Sequence, residues 1–351
     1  LYRVVAPTDT DLDGKLASPD RDSIRIVPRR AAGHRRSAAG GPRHDPTERL
    51  AHPMQSSPVR YVLPVYRPPS EAQSLILPLT DGCSWNRCTF CEMYSDPQKR
   101  FRPRAESEVL ESIRRCGEEF GDEARRVFLA DGDALTLSTR RLVTVLEAIR
   151  RDLPSVRRVS SYCLPRNLRN KSAAELSELA ALGLSMVYVG AESGDDEVLA
   201  RVSKGETFDS TRSALDKLGA AGIKRSVMIL NGLGGVALSR QHAINSAALM
   251  NATEPEYVAT LVVSFPKGEE RLRAGFPDWQ PLDVPGLMRE MELFISSLEL
   301  KRTVFRSDHA SNWLILKGTL GADKQRLLDE LRRAIAAPHE ANLRPAWARG
   351  L

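Results

Sequence analysis

The feature that most constrains this chain is an alternation that begins near residue 74. Short strand-like runs at 74–79, 127–130, 156–162, 186–189, 226–230 and 257–263, mostly apolar, alternate with amphipathic stretches at 106–119, 139–151, 173–182, 210–221 and 240–250. Runs of four to eight apolar residues separated by helices of ten or more residues give βαβ units, and βαβ units give a parallel sheet. Six units make most of a (β/α) barrel but not the eight of a closed one. The pattern therefore predicts an α/β fold, a partial (β/α)6 TIM-like barrel. Beyond about 275 it predicts a helix over 287–298, a strand over 302–305 and a helix over 323–336, read as a small C-terminal α/β extension.

Residues 1–70 follow another rule. They are rich in Arg, Pro, Gly, Ala and His, as in Arg29-Arg30-Ala31-Ala32-Gly33-His34-Arg35-Arg36, and carry no hydrophobic period. Such a segment cannot bury enough apolar surface to order itself. It is expected to be a disordered basic arm, followed by a barrel core over 71–275 and a capping region over 276–351. The chain begins with Leu1, and Met54 offers an alternative start; a start at Met54 is favoured over a basic arm that contacts an acidic partner.

Composition narrows the function classes. No apolar run of about twenty residues is present, which argues against a membrane-spanning helix. Nor does an apolar core follow a basic start, as a secretory leader requires. Five cysteines is an odd number, and three fall within one short loop, so a disulfide framework is not indicated and a reducing cytoplasm is. The net charge of +6 comes from 51 basic against 45 acidic residues, which describes mostly a solvated surface. That balance permits a nucleic-acid partner without favouring one.

The loop is Thr80-Asp81-Gly82-Cys83-Ser84-Trp85-Asn86-Arg87-Cys88-Thr89-Phe90-Cys91. Closed zinc sites take four ligands, and enclosed iron–sulfur clusters usually take four cysteines. Three thiolates leave one iron open to bind something else. The competing reading is a zinc site completed by Cys116, Cys163 or a histidine. Cys116 lies in an amphipathic helix and reads as packing; Cys163 follows the third strand and reads as a small core residue that could also face the pocket.

In (β/α) barrels functional groups collect where strands pass into the following loops. Those places hold Asp131-Gly132-Asp133, Ser160-Ser161-Tyr162, Gly190-Ala191-Glu192-Ser193-Gly194 and Asn231-Gly232-Leu233-Gly234-Gly235. Small and polar residues beside three cysteines describe a pocket for a polar, nucleoside-like ligand next to a cluster, since glycine lets a ligand approach the backbone.

On these residues the chain resembles the radical S-adenosylmethionine superfamily over roughly 74–265. In that family three cysteines, usually spaced Cys-x3-Cys-x2-Cys, hold a [4Fe-4S] cluster; here the spacing is Cys-x4-Cys-x2-Cys. The resemblance implies Cys83, Cys88 and Cys91 as cluster ligands and Phe90 against adenine. It implies Asp131-Gly132-Asp133 at the methionine amine, through backbone carbonyls, and Glu192 near the cofactor. Lys204 would pair with the methionine carboxylate, Asn231 and Gly232 would shape the adenine pocket, and Ser161 would line the same mouth. The implied chemistry is reductive cleavage of S-adenosylmethionine to a 5′-deoxyadenosyl radical that takes hydrogen from a substrate, in an oxygen-sensitive enzyme fed by a flavodoxin- or ferredoxin-type reductant. His309 and Asn312 are candidate substrate contacts, if their segment lies over the barrel mouth. No second cysteine cluster follows, and little patterned sequence precedes Leu75, which argues against auxiliary clusters and a cobalamin domain. The alternatives are a non-catalytic iron–sulfur electron carrier and a zinc-stabilised nucleic-acid-binding protein.

Overall fold

The computed structural model describes residues 57–350, together with the backbone of a two-residue strand, Tyr2–Arg3, paired antiparallel with Tyr66–Arg67. Met54 and the rest of the basic arm lie outside the described residues. The main sheet has eight strands in sequence order: β1 Leu75–Pro78, β2 Arg126–Ala130, β3 Arg158–Cys163, β4 Leu184–Glu192, β5 Lys224–Asn231, β6 Tyr257–Val262, β7 Val304–Ser307 and β8 Leu316–Thr319. Each of β1 to β7 pairs parallel with its neighbours, and β8 closes the far edge antiparallel to β7. β1 and β8 do not pair, so the barrel is open. The helices are α1 Glu106–Phe120, α2 Thr139–Asp152, α3 Ala173–Ala181, α4 Asp196–Arg201, α5 Phe208–Ala220, α6 Gly235–Thr253, α7 Glu270–Gly275, α8 Val284–Ser296 and α9 Lys324–Ala336.

The two periodicities explain the layering. In a strand, alternate side chains face opposite sides; in a helix, the same face recurs every three to four residues. Val127, Leu129, Val159, Cys163, Val187, Val189, Val227, Ile229, Val258 and Phe305 point outward from the sheet into one continuous core. The helices meet them there with residues such as Val109, Ile113 and Cys116 of α1 and Leu327, Leu331 and Ala334 of α9. Ile76, Phe128, Ala130, Tyr162, Met186 and Tyr188 point inward and form a second, largely aromatic cluster inside the barrel. The helix starts carry their own caps: Asp195 accepts from the Val198 amide, Ser172 and Glu175 form a capping box, and Asp283 accepts from the Gly286 amide.

Residues 57–71 close the N-terminal end of the barrel. Val59 and Val65 are buried, the Tyr61 hydroxyl donates to the Ile76 carbonyl at 2.9 Å, and buried Glu71 accepts from Tyr188 at 2.6 Å and pairs with Arg158 at 2.7 Å. The described portion of 1–70 is thus packed structure, because it supplies partners that the barrel floor needs. The C-terminal extension is equally continuous with the barrel: Phe305, Leu316, Leu320 and Leu331 sit in the same core as Val258 and Met291. Three elements differ from expectation: α4 and α7 are six-residue helices, and β8 is a short edge strand carrying exposed Lys317.

Candidate functional site

The cysteine loop begins where β1 ends, at the C-terminal mouth of the sheet. The turn after β2 anchors it. Asp131 Oδ2 accepts from the Gly82 amide at 3.1 Å and from Lys99 Nζ at 2.6 Å. Asp133 accepts from the Ser84 amide at 2.8 Å and from the Ser84 hydroxyl, with Asn167 Nδ2 at 3.1 Å behind it. The Gly132 amide donates to the Gly82 carbonyl at 3.0 Å. A side chain at Gly132 would put its Cβ 2.9 Å from Cys83 Cβ and from the Gly82 carbonyl oxygen. Glycine is required there because two backbones touch. These carboxylates hold the residues that flank Cys83, and their burial raises both above the ordinary Asp value against the opposing pull of Lys99 on Asp131 and of Ser84 on Asp133. What Asp131-Gly132-Asp133 leaves for a ligand is backbone and the single buried oxygen Asp131 Oδ1, which has no hydrogen-bond partner.

The other side of the loop is clamped just as firmly. Arg271 of α7 donates to the Cys91 carbonyl at 2.6 Å and the Asn86 carbonyl at 3.1 Å. Thr89 donates from its amide to the Val202 carbonyl at 3.0 Å, and Trp85 Nε1 to the Ser203 carbonyl at 2.9 Å. The Arg166 guanidinium stacks 3.6 Å from the Trp85 ring centroid. Within the first gap Asn86 takes a left-handed φ of 42° and donates from its side-chain amide to the Tyr94 carbonyl at 2.8 Å.

Facing the cysteines is a buried ion pair, Lys204 Nζ to Glu192 Oε1 at 3.1 Å. Glu192 ends β4 at φ 67°, beside a register shift between Gly190 and Glu192. A non-glycine residue held there is uncommon and strained. Gly190 makes room: a Cβ would lie 2.1 Å from Glu192 Oε1. Burial works against the charge of Lys204, yet Glu192 and the Cys88 and Cys83 thiols hold its ammonium above the ordinary lysine value. Lys204 Nζ also lies 5.8 Å from the Phe90 ring, which packs on the cluster of Val198, Leu233 and Trp279. Burial pushes the Cys83 thiol up to about 11, with Asp133 adding to it, and Cys91 up to about 12; it raises Cys88 too, against the pull of Lys204. Metal binding must therefore displace protons from these thiols.

The structure brings Cys83, Cys88, Cys91, Phe90, Gly132, Glu192 and Lys204 into one neighbourhood. Asn231 and Gly232 stand at the end of β5, held by Glu290 of α8: Asn231 Nδ2 and the Gly232 amide donate to its Oε1 at 2.7 and 2.6 Å. Asn231 shares the outward face of β5 with Val227 and Ile229, so its side chain is turned to α8 rather than to the mouth. Three further expected residues lie elsewhere. Ser161 shares its strand face with Val159 and Cys163, toward the helices, and its hydroxyl donates to the Leu129 and Tyr162 carbonyls. Asn312 is buried with both amide atoms bound to β6, accepting from the Val262 amide and donating to the Thr260 carbonyl. His309 is buried and bonded to Ser311. The 309–312 segment caps β6 rather than presenting polar groups at the mouth. Cys116 and Cys163 are in the outer core, so Cys163 does not face the pocket.

Lys99, Arg271 and Glu290 were not legible as site residues. Glu290 alone left a signal: an acid three residues after Leu287 and four before Phe294, inside the apolar stripe of a helix. Among the described residues no group of three or more His, Cys, Asp or Glu could hold a single metal ion, and no helix is long and apolar enough to cross a membrane.

Known proteins give the same neighbourhood a context. The chain is 22% identical over 183 residues to the heme chaperone HemW of Bacillus subtilis (strain 168), covering 50% of this chain and 47% of that protein. It is 24% identical over 166 residues to 4'-phospho-dehydrooxetanocin synthase of Priestia megaterium, covering 43% of this chain and 22% of that protein. The chain thus matches less than half the length of either relative. Among solved structures it is similar to coproporphyrinogen III oxidase (HemN) from Escherichia coli, a radical SAM enzyme, at 12% identity and a TM-score of 0.49, over 64% of this chain and 52% of that one. Residues 77–245, which run from β1 through the cysteine loop and the Glu192–Lys204 pair into α6, match the sequence model of the Radical SAM superfamily, and the chain carries a domain of that superfamily.

Proposed function

We propose that this chain is a radical SAM enzyme that holds a [4Fe-4S] cluster on Cys83, Cys88 and Cys91, binds S-adenosylmethionine across the mouth of the sheet and takes a hydrogen atom from its substrate. The observation that carries this reading is the pinned cysteine loop facing the buried Glu192–Lys204 pair. The residues present fit both groups. Cys83, Cys88 and Cys91 are free thiols on one pinned loop facing the Lys204 cation, the donor set for a cluster that keeps one iron open. Zinc closure by Cys116 or Cys163 is disfavoured by their place in the outer core.

When bound, the cluster and its sulfonium partner supply one-electron reductive cleavage and hydrogen abstraction. The chain's residues do the rest. Asp131, Asp133 and Arg271 fix the loop that carries the thiols. Lys204 offers a cation to the methionine carboxylate, with Glu192 holding the ammonium in place. Phe90 and the backbone at Gly232 flank the adenine. The apolar wall of Val198, Leu233 and Trp279 keeps water from that side. A flavodoxin- or ferredoxin-type donor is the proposed source of electrons, and the cytoplasm the proposed compartment.

The test is anaerobic. The protein is reconstituted with iron and sulfide, reduced with dithionite and given S-adenosylmethionine, and 5′-deoxyadenosine is quantified beside a triple Cys83→Ala, Cys88→Ala, Cys91→Ala control. Product in the first and none in the control is the expected result. A brown protein that releases no 5′-deoxyadenosine would turn the reading to an electron carrier. A colourless protein holding zinc would end it.

A further inference from the structure

The inner face of the sheet does not stop being useful at the cofactor pair. Strand register carries one row of residues across it: Gly190 on β4 pairs with Met228 on β5, Met228 with Ala259 on β6, and Ala259 with Arg306 on β7. Residues in register on parallel strands share a face. Met228 and Tyr257 pack on the inner cluster of Phe128, Tyr162 and Tyr188, whereas Val258 and Phe305, one position away, lie in the outer core. Ala259 and Arg306 therefore face inward. Neighbouring strands lie about 4.8 Å apart, so the row spans roughly 14 Å from Gly190 to Arg306.

The row has a distinct chemistry along its length. At one end Gly190 lies directly under Glu192 Oε1 and Lys204 Nζ. In the middle Met228, Leu230, Tyr257 and Ala259 are only half-buried, although their outward neighbours Val227, Ile229 and Val258 are fully buried. Apolar side chains inside a barrel keep that exposure only where the barrel is open above them. At the far end Arg306 is exposed, and among the described residues the one hydrogen bond of its guanidinium runs to the carbonyl of its own neighbour Phe305 at 3.4 Å. The nearby cation Lys317, its register partner on β8, is already paired with Asp308 at 2.9 Å. A guanidinium without an acid, at the end of an apolar trough, is suited to an oxyanion that it can meet with two parallel donors.

We propose that the concave face of β5 to β7 receives the substrate, that this substrate has an apolar body ending in a carboxylate or phosphate, and that Arg306 grips the oxyanion while the body lies over Met228 and Ala259 toward the Glu192–Lys204 end. The proposal rests on the radical SAM reading for the word substrate and names the substrate's class.

The test measures binding and needs no turnover. The full chain, reconstituted with iron and sulfide, is titrated calorimetrically with 4-phenylbutyrate, 3-phenylpropyl phosphate and the neutral 4-phenylbutyramide. At least one acid is expected to bind about tenfold more tightly than the amide, a gap of about 1.4 kcal/mol. The tighter of the two acids tells carboxylate from phosphate. Arg306→Gln should remove at least half of that gap and Arg306→Lys should retain more of it than the glutamine does. Arg333→Gln, on the outer helix α9, should leave it unchanged. Since the guanidinium bonds only its own strand, the Gln variant should melt like the wild type. Equal binding of acids and amide, no binding of any probe, or a gap that survives mostly intact in Arg306→Gln would overturn the proposal. A chain that forms no 5′-deoxyadenosine but passes this titration would lose the radical reading and keep the anion site; the reverse pair of results would do the opposite.

Discussion

Gly132 shows how little room the site leaves at single residues. Its Cα lies against Cys83 and Gly82, and the carboxylates on either side of it, Asp131 and Asp133, reach past it to hold Gly82 and Ser84. Overpacking a tight contact costs about 1–3 kcal/mol. Here the displaced neighbour is a thiol-bearing backbone rather than a free side chain. Gly132→Ala should therefore lose more than about half of the iron bound per chain after reconstitution, with the metal-free melting temperature falling modestly. Iron content and a thermal melt on the same preparation check this; full iron loading would show that the contact does not set the loop. The residue scale is also where the sequence is hardest to read. Cys83, Cys88 and Cys91 announce themselves by spacing. Lys99 and Arg271 do not, because each becomes meaningful only when a partner far along the chain, Asp131 or Cys91, is folded beside it. Ser161 misleads for the opposite reason: it lies inside β3, two residues before its end, and its side chain is on the outward face with Val159 and Cys163.

Among elements, the joint between β5 and β6 depends on one acid. Buried Arg225, at the start of β5, donates to the Leu215, Thr253 and Glu254 carbonyls and to both oxygens of Glu256, just before β6. Burial alone would raise the Glu256 carboxyl, but hydrogen bonds from the Arg225 guanidinium and amide outweigh it and hold the carboxyl below its ordinary value of 4.5. A depressed folded-state value means the unfolded chain binds more protons in that range. The contribution is therefore full above about pH 4.5 and is lost as pH falls through the folded-state value. Glu256→Gln should lower the melting temperature at neutral pH and flatten its decline below about pH 4.5. Parallel melting curves for the two proteins down the acid limb, still as far apart in strong acid as at neutrality, would refute the assignment. The elements themselves were largely legible: most long helices and strands follow the hydrophobic period, while α6 buries His242, Ser246 and Thr253 and β3 buries Ser160 and Ser161. α4 and α7 escaped because six residues hold fewer than two turns of pattern, and β8 because an edge strand need not be apolar.

For the whole molecule, the sequence marks a capping region over 276–351, whereas the core runs straight through that boundary. Phe294, Ile295, Phe305, Leu316, Leu327 and Leu331 all lie in the cluster that holds the barrel strands. Each fully buried side chain of this kind contributes about 1.5–3 kcal/mol, so together they rival the 5–15 kcal/mol that usually separates folded from unfolded. Deleting 276–351 should abolish cooperative thermal unfolding, and a truncated chain that still melts in one sharp transition would establish the barrel as an independent unit. The packing was invisible beforehand because hydrophobic periodicity says which face is buried and not against what. The clamped cysteine loop carries a last consequence for the protein's life history. Its shape is fixed by Asp131, Asp133, Arg271 and the Trp85–Arg166 stack, none of which is a metal ligand. Zinc-finger peptides unfold when the metal leaves; a loop held by these contacts is instead expected to stay folded. Iron shortage or an oxidative burst would then produce intact, reloadable molecules rather than substrates for proteolysis, and recovery of activity would wait on metal delivery and not on new synthesis.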